Sequence, residues 1–142
     1  MFQKVVQELE THWREGTLFF NQPITDDILA YVRPRQTCQA GLREGNVVRI
    51  TKIPYQAHQY LQETDQTRKR YLYCHCGWGR DSILNGPPVS AVFCQCSAGF
   101  EKQPWEAALD RPLRAEVEKS VLKGDLFCRF AVHLPSEIVP QP

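Results

Sequence analysis

Leu113-Arg114-Ala115-Glu116-Val117-Glu118-Lys119-Ser120-Val121, then Lys123-Gly124-Asp125, then Leu126-Phe127-Cys128-Arg129-Phe130-Ala131-Val132-His133-Leu134 is the stretch that decides the fold class. Apolar and polar residues alternate on both sides of a glycine turn, which is the period of a half-buried strand. Two strands, 113–121 and 126–134, are therefore expected as a closing hairpin. In the second, one face carries Leu126, Cys128 and Phe130, and the other carries Phe127, Arg129 and Ala131. The first set is the more apolar and puts Cys128 inside, although Phe127 leaves the choice of face open.

Working upstream, Ser90 to Leu109 reads as a long helix carrying Ala91, Val92, Cys94, Phe100, Trp105 and Ala108, with Pro104 as a kink or a new start. Asn85-Gly86-Pro87-Pro88 breaks the chain before it, and Asp81 to Leu84 is a short turn or helix. Tyr71-Leu72-Tyr73-Cys74 is rich in aromatic residues and reads as a strand, after a charged, solvated connection over 63–70. Tyr55 to Gln62 reads as helix, Val47 to Ile53 as a strand or helix entry, and Thr37 to Arg43 as a short helix ended by Gly45. At the N-terminus, Phe2, Val5, Val6, Leu9 and Trp13 share one face of a helix that stops at Gly16. A second helix begins at Thr25, whose hydroxyl can cap, and ends before Pro34. Pro135 to Pro142 reads as a tail. The expected class is α+β: N-terminal helices packed on an antiparallel sheet, with a long helix and a C-terminal hairpin. A helical portion, 1–62, and an α+β portion, 63–142, are read as one compact domain.

Composition narrows the function classes. A chain of 142 residues can bury a core without staples, and a formal charge of +1 lacks the electrostatic footprint of a nucleic-acid or anionic-membrane binder. No apolar run reaches the roughly 20 residues that span a bilayer. Met1-Phe2-Gln3-Lys4 runs straight into an amphipathic stretch, not a secretory leader, so a reducing, cytoplasmic compartment is expected. The partners expected are a small-molecule ligand and, through the amphipathic N-terminal helices, a second copy in a homodimer, with neither nucleic acid nor membrane.

Five of the six cysteines lie in three short segments: Cys74-His75-Cys76, Cys94-Gln95-Cys96 and Cys128. Thiolate sulfur is soft and suits zinc or an iron–sulfur cluster. Free buried cysteines and a strained Cys-x-Cys disulfide are the alternatives, and Cys94 near a helix start is the best placed for redox chemistry. On a strand, His75 would point away from Cys74 and Cys76, which makes it a surface residue more than a ligand. Trp78 and Trp105 neighbour glycine and proline punctuation and are the aromatic residues best placed to line a pocket, while most other rings read as core. Arg80 could hold a substrate carboxylate. His75, Asp81, Glu101 and Glu106 are the general-base candidates, although charged residues of this kind mostly sit solvated on the surface. Cys38, His12, His58 and His133 stand alone and read as structural or exposed.

The C-terminal half resembles the 4-vinyl-reductase domain family, which is similar in fold to the ligand-binding domains of haem nitric-oxide sensors and Golgi transport-particle subunits. The resemblance is carried by Cys94, Ser97-Ala98-Gly99-Phe100, Pro112, Ser120 with Gly124-Asp125, and Cys128-Arg129-Phe130. It implies zinc, held in some members by a Glu and three Cys. Cys94 and Cys128 match two of those positions, while Ser120 and Val117 occupy the other Cys and the Glu. Tyr73-Cys74-His75-Cys76 and Phe93-Cys94-Gln95-Cys96 resemble a thiol-rich subgroup similar to 2-amino-thiazoline-4-carboxylic acid hydrolase-like proteins, with Gly77 where a proline is expected. The first sixty residues carry no such likeness.

The expectation is a small-molecule-binding sensor or carrier domain with a metal site drawn from Cys74, Cys76, Cys94, Cys96 and Cys128, zinc ahead of an iron–sulfur cluster. Its ligand-binding residues would be Trp78, Arg80, Phe100 and Trp105. A small metal- or cysteine-dependent hydrolase of a heterocyclic or amide substrate is the alternative, and a zinc-stapled structural protein is the third reading.

Overall fold

The computed structural model describes residues 1–138; the end of the expected tail, 139–142, lies outside the described residues. Helix α1 (Phe2–Glu15) buries Leu9 and stops at Gly16, whose positive φ of 66° lets its N–H close on His12 O. A short antiparallel pair follows, β1 (Leu18–Phe19) and β2 (Gln22–Pro23), then α2 (Asp26–Val32). The Thr25 hydroxyl donates to the Asp27 carboxylate in place of capping a backbone group. Next come β3 (Leu42–Glu44), β4 (Val47–Thr51), α3 (Ala57–Gln62), α4 (Gln66–Tyr73) and α5 (Gly77–Leu84). A 3-10 turn at Ala91–Cys94 runs into α6 (Gln95–Leu109), and the hairpin of β5 (Arg114–Lys119) and β6 (Arg129–His133) closes the fold.

The main sheet is antiparallel throughout, in the order β3-β4-β6-β5. Period-two alternation sorts its residues cleanly. Val48 and Ile50 of β4, Phe130 and Val132 of β6, and Ala115 and Val117 of β5 face the helices, and α6 lays Trp105 and Leu109 against this face. The other face carries charge: Glu118 bridges Arg49 (3.1 Å) and Arg129 (2.9 Å), and Glu116 meets His133 (2.9 Å). The α+β class, the hairpin and the long C-terminal helix stand as expected, and Cys128 and Phe130 are inside, at 9 % and 1 % exposure.

Three local expectations are corrected. Residues 66–73 are helix and not a charged connection followed by a strand. The Asp65 carboxylate accepts Arg68 N–H at 2.8 Å and starts the helix, which overrides the β-propensity of the aromatic run. Residues 37–43 are not helical, because Gln39 and Gly41 take positive φ. At Gly41 the backbone lies so close to the sheet that a Cβ would meet Val48 Cγ1 at 2.7 Å. The N-terminal helices also do not lie on the main sheet. Leu9, Ile28, Leu29 and Val32 form their own cluster with Cys38, Ile53 and Ala57, to which the four-stranded sheet contributes none of its strand residues.

The helices and the sheet are joined at Tyr73, the last residue of α4, which is fully buried. Its hydroxyl lies 2.5 Å from Lys52 O, just past β4, and 3.3 Å from Cys128 O, just before β6. Leaving a buried carbonyl without its donor costs about 1–3 kcal/mol. Tyr73→Phe should therefore lower unfolding stability by about that amount, measured by urea denaturation, and by more than Tyr60→Phe. Tyr60 donates to Leu126 O (2.7 Å) from a part-buried position. Equal stability of wild type and Tyr73→Phe would refute this role.

Candidate thiol site

Cys74 directly follows α4 and Cys76 directly precedes α5, so Cys74-His75-Cys76 is an extended corner between two helices. Cys94 closes the 3-10 turn that feeds α6, and Cys128 sits at the entrance to β6. These four cysteines line one cavity of about 30 Å³, walled on its apolar side by Phe93, Val121, Leu122 and Phe130. Cys96 is exposed on α6 outside the cavity, and Cys38 is buried in the N-terminal cluster. Four of the five expected cysteines thus border one cavity, and Cys96 does not.

Two of the sulfurs have hydrogen-bond partners. Cys94 Sγ lies 2.9 Å from Ser120 Oγ, which also accepts Leu122 N–H at 3.1 Å, and Cys74 Sγ donates to Cys76 O at 3.6 Å. Among the described residues, no group of three or more His, Cys, Asp or Glu side chains is arranged to hold a metal ion. Sulfur is a donor for soft ions, but the Cys74 and Cys94 sulfurs are turned to a carbonyl and a hydroxyl. Burial favours the proton on two of them. It pushes Cys128 up to about 12 and raises Cys74, and in both cases neighbouring cysteines add to the rise. Negative charge on Cys94 would disfavour charge on Cys74 and on Cys128.

Polar groups from three other positions join them. Lys52 lines the cavity, with Nζ 3.1 Å from Ser97 Oγ and 3.8 Å from the Glu101 carboxylate. Burial raises the Glu101 pKa, and Lys52 opposes that rise. His75 also lines the cavity, and its Nε2 lies 2.7 Å from Ile53 O. Desolvation, reinforced by Lys52 and Arg80, lowers its pKa to about 4. The residue as a whole is exposed, and the ring is neutral at pH 7, since even an ordinary histidine is mostly neutral there. His75 thus borders the cavity from an exposed position: the expected surface placement stands, but it does not come from strand alternation, since residues 71–76 form no strand.

The four expected ligand-binding residues are not brought together. Trp78 and Phe100 are exposed, at 72 % and 68 %, with Trp78 edge-on to Phe93 at 5.8 Å. Trp105 lines a separate cavity of about 200 Å³ with Met1, Ile50 and Glu101. Arg80 is held between the rings of Tyr55 (4.7 Å) and Tyr71 (4.4 Å) and donates to Gln56; its buried Nη1 has no partner among the described residues. Of the general-base candidates only His75 lines the thiol cavity. Glu106 is committed to Lys102 (2.8 Å) and Leu113 N–H (2.7 Å), Glu101 faces Lys52, and Asp81 is exposed.

Lys52 and Gly79 were not singled out as site residues from the sequence, and Ser97 entered only as part of the Ser97-Ala98-Gly99-Phe100 resemblance. Gly79 left a signal as one of two glycines following the Cys-His-Cys run. A Cβ there would sit 2.9 Å from Cys74 Sγ and 3.4 Å from Leu122 Cδ2, so the cavity depends on its missing side chain. Alanine in a helix interior normally gains about 1 kcal/mol over glycine, whereas overpacking costs about 1–3 kcal/mol. Gly79→Ala should accordingly shift the denaturation midpoint down, while Gly99→Ala, which meets nothing within 4 Å on α6, should shift it up. A Gly79→Ala variant as stabilised as Gly99→Ala would show that the cavity wall is not tight. Compared with known proteins, the chain matches no family model, no curated protein and no solved structure.

Proposed function

We propose that the chain is a binding domain whose functional centre is a single soft metal ion, zinc before any other, held by sulfurs of the Cys74, Cys76, Cys94 and Cys128 cluster. The observation that carries this is the shared cavity: four cysteines from three separate stretches of chain border a space of about 30 Å³. That is the room of one ion or one water molecule, far below the roughly 300–1,000 Å³ of organic-ligand sites. Thiolate sulfur selects soft and borderline metals. The resemblance to zinc-bearing 4-vinyl-reductase domains supports the same reading, since two of the positions it picks out, Cys94 and Ser120, are in contact at 2.9 Å.

Metal uptake would replace thiol protons by the ion, and the thiol form explains why the sulfurs now point at hydrogen-bond partners and not at a common centre. Three sulfurs and an open position would let the ion act as a Lewis acid; four ligands would make a structural site. The cavity's size favours the closed, structural case. Beside the thiol site, a second and mostly apolar cavity next to Trp105 meets it through the Lys52–Glu101 pair; at about 200 Å³ it has room for a very small molecule. That favours sensing of a small apolar molecule as the second reading. Hydrolysis is less well supported, because the bases other than His75 stand outside the thiol cavity.

Protein purified without oxygen should contain close to one zinc per chain by elemental analysis, and titration of zinc into metal-free protein should release protons. Cys94→Ser and Cys128→Ser should lower the zinc content severalfold, while Cys96→Ser, whose sulfur is outside the cavity, should leave it unchanged. Zinc-free protein with every thiol still titratable would end this reading.

A further inference from the structure

We propose that the chain pairs with a second copy of itself through the exposed aromatic face of α5, the 3-10 turn and the start of α6. Trp78, Val92, Phe93 and Phe100 are 72 %, 63 %, 37 % and 68 % exposed, and the Trp78 and Phe93 rings meet edge-on at 5.8 Å. Val92, Cys96 and Phe100 stand four residues apart along the turn and the helix it feeds, so they share one face, and Cys96 is exposed with them. Single exposed apolar residues are ordinary on a protein surface, whereas a contiguous group marks a contact. The face also lacks charge. Residues 82–100, which supply all of it except Trp78, contain no Asp, Glu, Lys or Arg in a chain that is 23 % charged. Aromatic residues with charge depleted are the composition of the buried centre of an interface.

Charge, shape and area fit a second copy. In a two-fold pair each patch meets itself, so a charged patch would face its own sign, and a neutral one avoids that penalty. An anionic membrane would instead call for lysines or arginines beside the rings, and residues 82–100 have none. A knob and a hollow also lie side by side. Phe100 projects, while a Cβ on its neighbour Gly99 would meet nothing within 4 Å, which leaves open space for the Phe100 ring of the other copy. Covering an aromatic side chain buries about 150–250 Å², so at their exposures these four side chains offer on the order of 450 Å². That is the apolar centre of an interface of about 800 Å² per partner, with a polar rim supplying the rest. The apolar face of α1, on which a dimer was expected, is by contrast packed within the chain: Leu9 is buried with Ile28 and Leu29 of α2, and Phe2 and Val5 lie on the same cluster.

Sedimentation equilibrium of the full-length chain, kept reduced so that Cys96 forms no disulfide, tests this. The wild type should be dimeric at high concentration and dissociate on dilution. Trp78→Lys and Phe100→Lys each put a cation into the face and should weaken association by about tenfold or more. Both side chains are exposed, so the dilute variants should unfold at the midpoint of the dilute wild type. Gly99→Leu, which fills the hollow, should weaken association likewise. Trp13→Lys, at a position 48 % exposed on α1, should leave the dimer intact. A wild type that is monomeric at every concentration overturns the proposal, and so does a dimer that survives Trp78→Lys and Phe100→Lys combined. Loss of the dimer in Trp13→Lys but not in Phe100→Lys moves the contact to α1 and overturns it too. A monomeric wild type that sediments with phosphatidylcholine vesicles gives the face to lipid instead.

Discussion

The phenol of Tyr73 is the contact on which the remaining architecture rests. Its ring is in the middle of the second core cluster, among Tyr60, Ala98, Val121 and Phe130, and its hydroxyl reaches the carbonyls of Lys52 and Cys128 on the two central strands. A fully buried hydroxyl must find acceptors, and these two lie where β4 ends and β6 begins. That pins the C-terminus of α4, and the next residue is Cys74. The position of the Cys74–Cys76 corner over Cys128 is thus a consequence of satisfying one buried polar atom. Burial in turn holds the Tyr73 proton in place, driving its pKa well above the ordinary value.

A second constraint is charge. The thiol cavity has Lys52 on its wall and Arg80 near enough to oppose the rise of the Cys74 pKa, the first engaged by Glu101 and Ser97 and the second by two aromatic rings and one amide. A buried guanidinium nitrogen without an acceptor is unusual, since buried polar groups are nearly always paired. Cations beside thiols favour the charged sulfurs that metal binding demands, while burial disfavours them. In the thiol form burial prevails, as the raised Cys74 and Cys128 pKa values record. An ion would supply the positive charge that reverses the balance.

Some of this was legible before any coordinates. Alternation about Gly124 announces β5 and β6 because one face of each strand is buried and the other bears ion pairs. The helix from Phe2 is legible because five apolar residues share a face and a glycine in the left-handed region ends it. Residues 63–74 were misread because two signals conflict there. Aromatic residues favour strands, but Asp65 caps a helix whose exposed turns bear Arg68 and Lys69, and tertiary packing of Tyr73 settles the contest. The shift matters for function, because it is what moves His75 from the far face of a strand to the wall of the thiol cavity.

Taken alone, the order of residues determined the α+β class, the closing hairpin, the long helix before it and the concentration of sulfur in three segments, since each depends on local periodicity or on identity. Only the folded chain decided which sulfurs are neighbours. Cys76 and Cys96 are each the second cysteine of a Cys-x-Cys pair, yet one lines the cavity and the other faces outward. Lys52, Ser97 and Gly79 likewise join the site only through packing, because proximity across forty residues of chain is set by how helices and sheet bury their apolar faces, and no local pattern encodes it.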